Sequence, residues 1–555
     1  MTTLTTEQDL KLIENPVRLS ESKLWLIQRN YFATMGINAW KEEVPFYISS
    51  NAFIGHQYAL LVIEFIKDTR RNHPQTEHET FYIAEFGSGT GLFSFYFLKA
   101  FTALLEIHGI SEQKFCYIIT DIVEKNIEFC QKNNDFKPYL DKNQLDFASF
   151  NVEEDQDFHL RIRKKSYSEL QGNAPLVLIA NYVFDCVKQD AFDIFKGKLQ
   201  EEKIGIRSRY KNFDIEHAKH LNELRFDYQS YDVDIEHYYE NPYIKEILQD
   251  YTANLPDVSI MMPLGAFLFF DHLKKLTNGN YFMIAGDKGY STIKQFPLYR
   301  KKQRISYDGC YSFFVNFHAM GEYNKKIGGD CLLTQNHNNF QVCLFNHGDS
   351  FTELKNTTAC FKTYLESLGP DEYCYLFDEY LTNSYRFYLR SLMSFLRLSH
   401  WDPIAYAAIH ERLVELVPVC ENHEFAEVLT DLEKVRNNIY HINVGEDVLE
   451  QLGVFYQIKN MDEIALQLYE QSIQTFGDRE PSYNNSALIY DKQKNTSKAL
   501  YNYQKAYGMN KKNKFAYRRI AQLTGKPNFY SFLPLIKLTF VLAVMAGVLY
   551  LLGRH

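Results

Sequence analysis

A chain of 555 residues is longer than one hydrophobic core can organise, so several domains are expected. With 46% apolar and 23% charged residues it has the balance of packed globular structure, which excludes a disordered chain. The net charge of -9 argues against a nucleic-acid-binding molecule overall, and nine scattered cysteines without a CxxC pair offer neither a zinc ribbon nor a disulfide framework.

Residues 1–80 are expected to form a helical segment leading into a catalytic domain. Glu7, Asp9 and Glu14 at the N-terminus fit neither an apolar signal core nor an Arg-rich transit pattern. From there to residue 350 the pattern predicts an α/β domain. The runs FYIAEF (81–86), FCYIITD (115–121), LDFASFNV (145–152) and LVLIAN (176–181) alternate with helical segments, as in a mainly parallel Rossmann-like sheet. An insertion at about 182–258 follows, with a predicted hairpin (AFDIFKGKLQEE) and Tyr-rich helical pieces. The helix LGAFLFFDHLKKL, stopped by Gly279, and the strand YFMIAG (281–286) come next.

The first strand runs into IAEFGSGTGL. A dinucleotide loop wants GxGxxG, whereas here the third glycine, Gly91, comes one residue early and Leu92 stands in its place. Glu85, two residues before Gly87, would repel a pyrophosphate and attract an ammonium. S-adenosylmethionine carries an ammonium and a sulfonium and no phosphate. The loop Gly87, Ser88, Gly89 and Gly91 with Glu85 is therefore expected to hold that cofactor. Asp121, closing the second strand, can accept both ribose hydroxyls, and Asn151 with Val152 at the third strand's end can meet the adenine. Each has an ordinary alternative, Glu85 as an exposed strand end and Asp121 as a helix cap. Together, in this order, they resemble the class I methyltransferases.

The fourth strand ends in Ala180-Asn181-Tyr182-Val183-Phe184-Asp185, which resembles the NEFFDALP motif of the MidA-like methyltransferases, whose mitochondrial members act on a respiratory complex I subunit. The segment PFYISSNAFIGHQYA (45–59), the hairpin ending Glu201-Glu202, IAGDKGY (284–290), and VNFHAM followed by LLTQNHNNFQVCLF as closing strands extend the resemblance over about residues 40–350. It implies methyl transfer to a protein nitrogen, arginine in the known family activity. Tyr182 departs from the family's Glu, and Cys186-Val187-Lys188 from its ALP. Asn181 is the candidate acceptor of the substrate's N–H groups, Phe184 the aromatic sheltering a cationic transition state, and Asp185 the base or guanidinium clamp. The alternative is that Asn181 caps a helix and Phe184 is core.

His217 and His220 lie three apart but lack a third ligand nearby, so no metal is expected. The basic runs at 300–304 and 511–514 are expected to be solvated turns or membrane-facing charge, not a nucleic-acid groove. A helical region (351–443) precedes a 34-residue period at 444–527, in which Gly453, Tyr456, Ala465 and Tyr469 are matched by Ala487, Tyr490, Ala499 and Tyr503. This resembles tetratricopeptide repeats, which would recruit a protein partner or else brace the neighbouring domain. Residues 528–555, uncharged from Leu538 to Leu552, are expected to form a single C-terminal membrane helix, as in tail-anchored proteins, with the bulk of the chain facing the cytosol. The expectation is thus a membrane-anchored S-adenosylmethionine-dependent methyltransferase. The competing readings are a methyltransferase-fold scaffold with little or no activity, and a small-molecule methyltransferase.

Overall fold

The computed structural model describes residues 10–39, 47–219, 221–297, 305–307, 309–335, 337, 339–442 and 446–525. They divide into two compact units. The first runs to Thr382 and takes in Leu398–Asp402, and the second comprises Asn383–Arg397 and the residues from Pro403 onward. The division therefore falls at 382, and the helices between Lys355 and Thr382 belong to the first unit rather than to a separate region beginning at 351.

In the first unit, β1 (Lys11–Val17), α1 (Leu24–Met35) and α2 (Ala52–Asn72) precede the main sheet. Its elements are β2 (Phe81–Phe86), α3 (Leu92–Ile107), β3 (Phe115–Asp121), α4 (Glu124–Lys132), β4 (Leu145–Ser149) and β5 (Leu176–Asn181). After an excursion of β6 (Asp190–Phe195), β7 (Lys198–Ser208), β8 (Leu224–Asp232), α5 (Pro242–Asn254), β9 (Val258–Met262) and α6 (Leu264–Leu276), the chain returns through β10 (Tyr281–Tyr290), α7 (Phe317–Lys326), β11 (Asp330–Leu332) and β12 (Phe340–His347).

The main sheet has the order β11-β12-β10-β5-β2-β3-β4, with Val315–Asn316 beside the end of β10. From β4 to β10 neighbouring strands are parallel, and β12 and β11 close the edge antiparallel. Parallel strands covered on both faces must be apolar along their length, which is why these runs lack the alternation of a half-solvated strand. The chain leaves β2 for β3 and β4, then crosses back to β5 on its other side. The β2/β5 boundary is thus a topological switch point, where the strand ends open a crevice.

Several expectations are corrected. The N-terminal segment is not helical throughout, since β1 pairs antiparallel with β7. The excursion is mainly a five-stranded antiparallel sheet, in which β1, β7, β6 and β9 are neighbours and β8 lies along β7. The Tyr-rich run of β8 is a strand because it pairs antiparallel with β7 along its whole length, from Leu224 opposite Ser208 to Asp232 opposite Gln200. Leu224 and Phe226 pack into the second core with Trp25 and Ile206, while Tyr228 and Tyr231 on β8 are exposed. VNFHAM does not remain a strand past Asn316, whose side chain accepts from Ala319 N–H at 2.9 Å and starts α7. β4 stops at Ser149, leaving Asn151 and Val152 in the following turn.

The second unit is helical. After α8 (Pro403–Leu416) and α9 (Asn422–Asn437) come α10 (Val448–Ile458), α11 (Asp462–Phe476), α12 (Glu480–Lys492), α13 (Thr496–Met509) and α14 (Lys514–Thr524). The 34-residue pattern falls on two helical hairpins, α10–α11 and α12–α13. Ala465, Ala487, Ala499, Tyr469 and Tyr503 have no exposed surface. Small residues at the helix crossings leave room for those rings; a Cβ on Gly453 would lie 2.8 Å from Cδ1 of Tyr469. Among the described residues no helix is long and apolar enough to cross a membrane. The expected anchor at 528–555 lies outside the described residues, as do His220 and the basic run at 300–304.

Candidate functional site

The switch point places the glycine loop after β2 opposite the turn after β5. Gly87, Gly89 and Gly91 have φ of 65°, 54° and 76°, the left-handed region where a side chain is strained, so this tight turn into α3 needs its glycines. The loop is braced by its neighbour strand. Ser88 N–H donates to Thr120 O at 3.0 Å, and Gly89 N–H donates to the Asp121 carboxylate at 2.9 Å.

Two joined lobes open here. One lies over the ends of β3 and β4 under α1, lined by Asp121, Asn151, Val152, Trp25 and Gln28. The other lies between the loop and the β5 turn, lined by Glu85, Ser88, Asn181, Asp185 and Lys288. Phe32, Gly87, Tyr182 and Cys186 border both. Each encloses roughly 900 Å³ of space or somewhat less, open solvent included.

The carboxylates dominate the electrostatics. Glu85 is not an exposed strand end. It is buried beneath the loop, where Tyr117 OH (2.7 Å) and Ser94 OH donate to its Oε2, and burial pushes its carboxyl up to about 7. Asp121 accepts from Val123 N–H at 2.7 Å as well as from Gly89, and burial raises it to about 6. It therefore shapes the loop in addition to facing the first lobe. Asn151 uses Oδ1 to accept from Glu153 N–H at 3.0 Å.

At the β5 turn the predicted residues separate. Asn181 faces the second lobe and accepts from Tyr58 OH at 2.9 Å, and no helix follows for it to cap. Phe184 is wholly buried in the core, 6.2 Å from the Phe269 ring, and borders neither lobe. The expected sheltering role of Phe184 is thus corrected. The backbone turns left-handed at Tyr182, φ 54°, its N–H donating to Gly286 O at 2.9 Å, and this directs Tyr182 into the crevice and Phe184 inward. Asp185 lines the second lobe. Its N–H donates to Asp287 Oδ2 at 3.0 Å, its own Oδ1 is buried with no protein partner, and burial lifts it to about 6. Asp287, wholly buried beside it, is raised well above the ordinary carboxyl range by burial and then by the Asp185 charge.

Sequence reasoning missed Asp287, Lys288, Tyr58 and the α1 side chains that cover the first lobe. IAGDKGY did mark the first two by position, but nothing in α1 signals a cover, because the groups it meets at the crevice lie far along the chain, among them Lys125 and Cys186. Ser88 Oγ and Gln28 Oε1, like Asp185 Oδ1, are buried crevice atoms without protein partners. Such atoms belong where a polar ligand completes the hydrogen bonding. His217 is a surface residue 3.1 Å from Asp214, and among the described residues no cluster of three metal-ligating side chains occurs.

No protein-family model and no curated protein matches this chain. Among solved structures it is similar to a COG1565 superfamily member from Burkholderia thailandensis bound to S-adenosyl-homocysteine, at 13% identity and a TM-score of 0.40, covering 60% of this chain and 88% of that one. It is also similar to a native COG1565 superfamily structure from the same organism, at 12% identity and a TM-score of 0.38, covering 61% of this chain and 90% of that one.

Proposed function

We propose that the first unit is an S-adenosylmethionine-dependent methyltransferase acting on a nitrogen of a protein side chain. The observation that carries this reading is the ring of buried carboxyls, Glu85, Asp121 and Asp185, around a glycine loop at the switch point. Such a wall repels a pyrophosphate and complements a ligand with an ammonium and a sulfonium. The residues present fit that cofactor. The loop from Gly87 to Gly91 with Glu85 would hold its amino-acid end, Asp121 its ribose, and Asn151, Val152 and the α1 side chains its base. The bound cofactor supplies a methyl group on a sulfonium with a good leaving group. The protein's remaining task is to orient the acceptor and take its proton. Asn181 and Asp185 line the lobe where an acceptor N–H would sit, Asp185 Oδ1 without a protein partner, and Tyr182 borders it. Asp185 is the proton acceptor, with Asp287 behind it holding its backbone.

The helical hairpins of the second unit would recruit the protein substrate as tetratricopeptide-like repeats, and residues 528–555 would tether the protein to a membrane with its bulk in the cytosol. Titrating the intact protein with S-adenosyl-homocysteine by calorimetry should show binding at one site. Incubation with labelled methyl donor in cell extract should label a protein band that Asp185→Asn and Asn181→Ala abolish. Absence of binding overturns the reading. Binding without label favours a scaffold, and label confined to metabolites favours a small-molecule acceptor. Deleting residues 528–555 should move the protein from membrane pellet to supernatant.

A further inference from the structure

The charge of the chain is distributed unevenly. No Asp or Glu follows Asp491, although the chain as a whole carries an acidic excess of nine. Lys492, Lys494, Lys498, Lys505, Lys511, Lys512, Lys514, Arg518 and Arg519 crowd the last described helices. Three of these are matched by acids from the preceding helices. Lys492 pairs with Asp462 at 2.9 Å, Lys505 with Asp478 at 3.5 Å, and Arg519 with Asp491.

The tip between α13 and α14 is different. Lys511, Lys512, Lys514 and Arg518 are all exposed there, and among the described residues Lys511, Lys512 and Arg518 make no ion pair. Lys511 instead lies over the Tyr507 ring at 4.6 Å. Apolar side chains stand among these cations, with Phe515 48% and Met509 39% exposed. Phe515 meets the Tyr503 ring edge-on at 6.0 Å and leaves about half of its surface among the cations. Cations ringing an exposed aromatic are what an interface of anionic headgroups over hydrocarbon accommodates. The position fits as well. α14 is capped by Gly525, and the 13 residues from there to Leu538, where the uncharged stretch begins, can span up to about 40 Å.

We infer that the α13–α14 tip, Met509 to Arg518, is a docking surface for an anionic membrane, seating the second unit on the headgroups beside the C-terminal apolar segment. The inference rests on the membrane-tether reading for its setting. Its contribution is distinct, since an apolar tail partitions into any fluid bilayer whereas a cationic tip discriminates by lipid charge and weakens with salt.

The test is co-sedimentation of the full-length protein with phosphatidylcholine vesicles and with vesicles containing phosphatidylserine, at low and high salt. The expected result is partitioning at least about tenfold stronger on the anionic vesicles at low salt, falling as salt rises. The variant Lys511→Gln/Lys512→Gln/Lys514→Gln/Arg518→Gln, all exposed positions, should lose most of that increment and keep its binding to neutral vesicles. Phe515→Ser should weaken anionic binding without changing its salt slope. Wild-type protein that ignores lipid charge, or a quadruple variant that keeps the increment, overturns the inference. So does RNA binding lost in the quadruple variant without any lipid preference. If instead the wild type fails to bind neutral vesicles but retains the anionic increment, the tether reading fails while the tip assignment stands.

Discussion

The Asp121 carboxylate accepts the Gly89 backbone N–H at 2.9 Å, so the end of one strand holds the shape of the loop that leaves its neighbour. Loop geometry and, in the proposed reading, ribose recognition thereby depend on one side chain. Asp121→Ala removes both, and leaves the Gly89 N–H without its acceptor. Affinity for S-adenosyl-homocysteine should fall at least about tenfold, since hydrogen bonds to a charged group contribute roughly 1.5–3 kcal/mol. Calorimetric titration of the variant checks it, and unchanged affinity would remove Asp121 from the site.

Cofactor binding should depend on pH through Glu85. Its carboxyl is held near 7, above its ordinary value of 4.5, chiefly because burial penalises the charged form. Its contribution to stability is therefore most favourable at low pH and is lost as pH rises from 4.5 through 7. Binding runs the other way, because an ammonium prefers the carboxylate. Affinity for S-adenosyl-homocysteine should increase as pH rises through 7, with release of a proton, and Glu85→Gln should flatten that part of the profile. Asp121 and Asp185, near 6, account for any slope remaining below it. Titration in buffers of different ionisation enthalpy counts the proton.

Phe184 and Tyr182 should respond to substitution in opposite ways. Phe184→Ala opens a cavity in the core and should cost about 3–5 kcal/mol of stability. Its folded fraction should still bind S-adenosyl-homocysteine. Tyr182→Ala should leave the melting temperature nearly unchanged and reduce both binding and transfer. Melting curves paired with titrations separate them. Should Phe184 prove the binding residue, the turn assignment fails.

Gly286 tests the close approach behind Asn181. A Cβ there would run into Asn181 Oδ1 and lie 2.7 Å from the Phe340 ring. Gly286→Ala is expected to destabilise by about 1–3 kcal/mol and to displace Asn181 from Tyr58, lowering transfer more than cofactor affinity. Thermal unfolding and label incorporation measure the two effects.

Gly453→Leu should drive a side chain into the Tyr469 ring and unfold the helical hairpins of the second unit. Helical circular dichroism should drop while S-adenosyl-homocysteine binding persists. A fully folded variant would show that the hairpins do not depend on that contact.

Much of the first unit was legible because local signals agree with the tertiary solution. β2, β3 and β5 occupy the runs read from the sequence, since strands buried on both faces must be short and apolar and end where glycine or a polar side chain interrupts them. The 34-residue pattern located the helical hairpins because it records which residues touch between adjacent helices. β8 was misread because tyrosines serve helix and strand alike, and only pairing with β7 selected the extended form.

By itself the sequence determined the glycine loop, the carboxylates at the strand ends and the repeat period, all set by neighbours within a few residues or by a fixed spacing. Only the tertiary structure decided which side chains face the crevice. The left-handed turn at Tyr182 sends that ring into the cavity and Phe184 into the core, β1 crosses to complete a sheet, and Asp287 comes to lie against Asp185. These outcomes depend on contacts between residues far apart in the chain, where burial and hydrogen bonding among distant groups outweigh local preference.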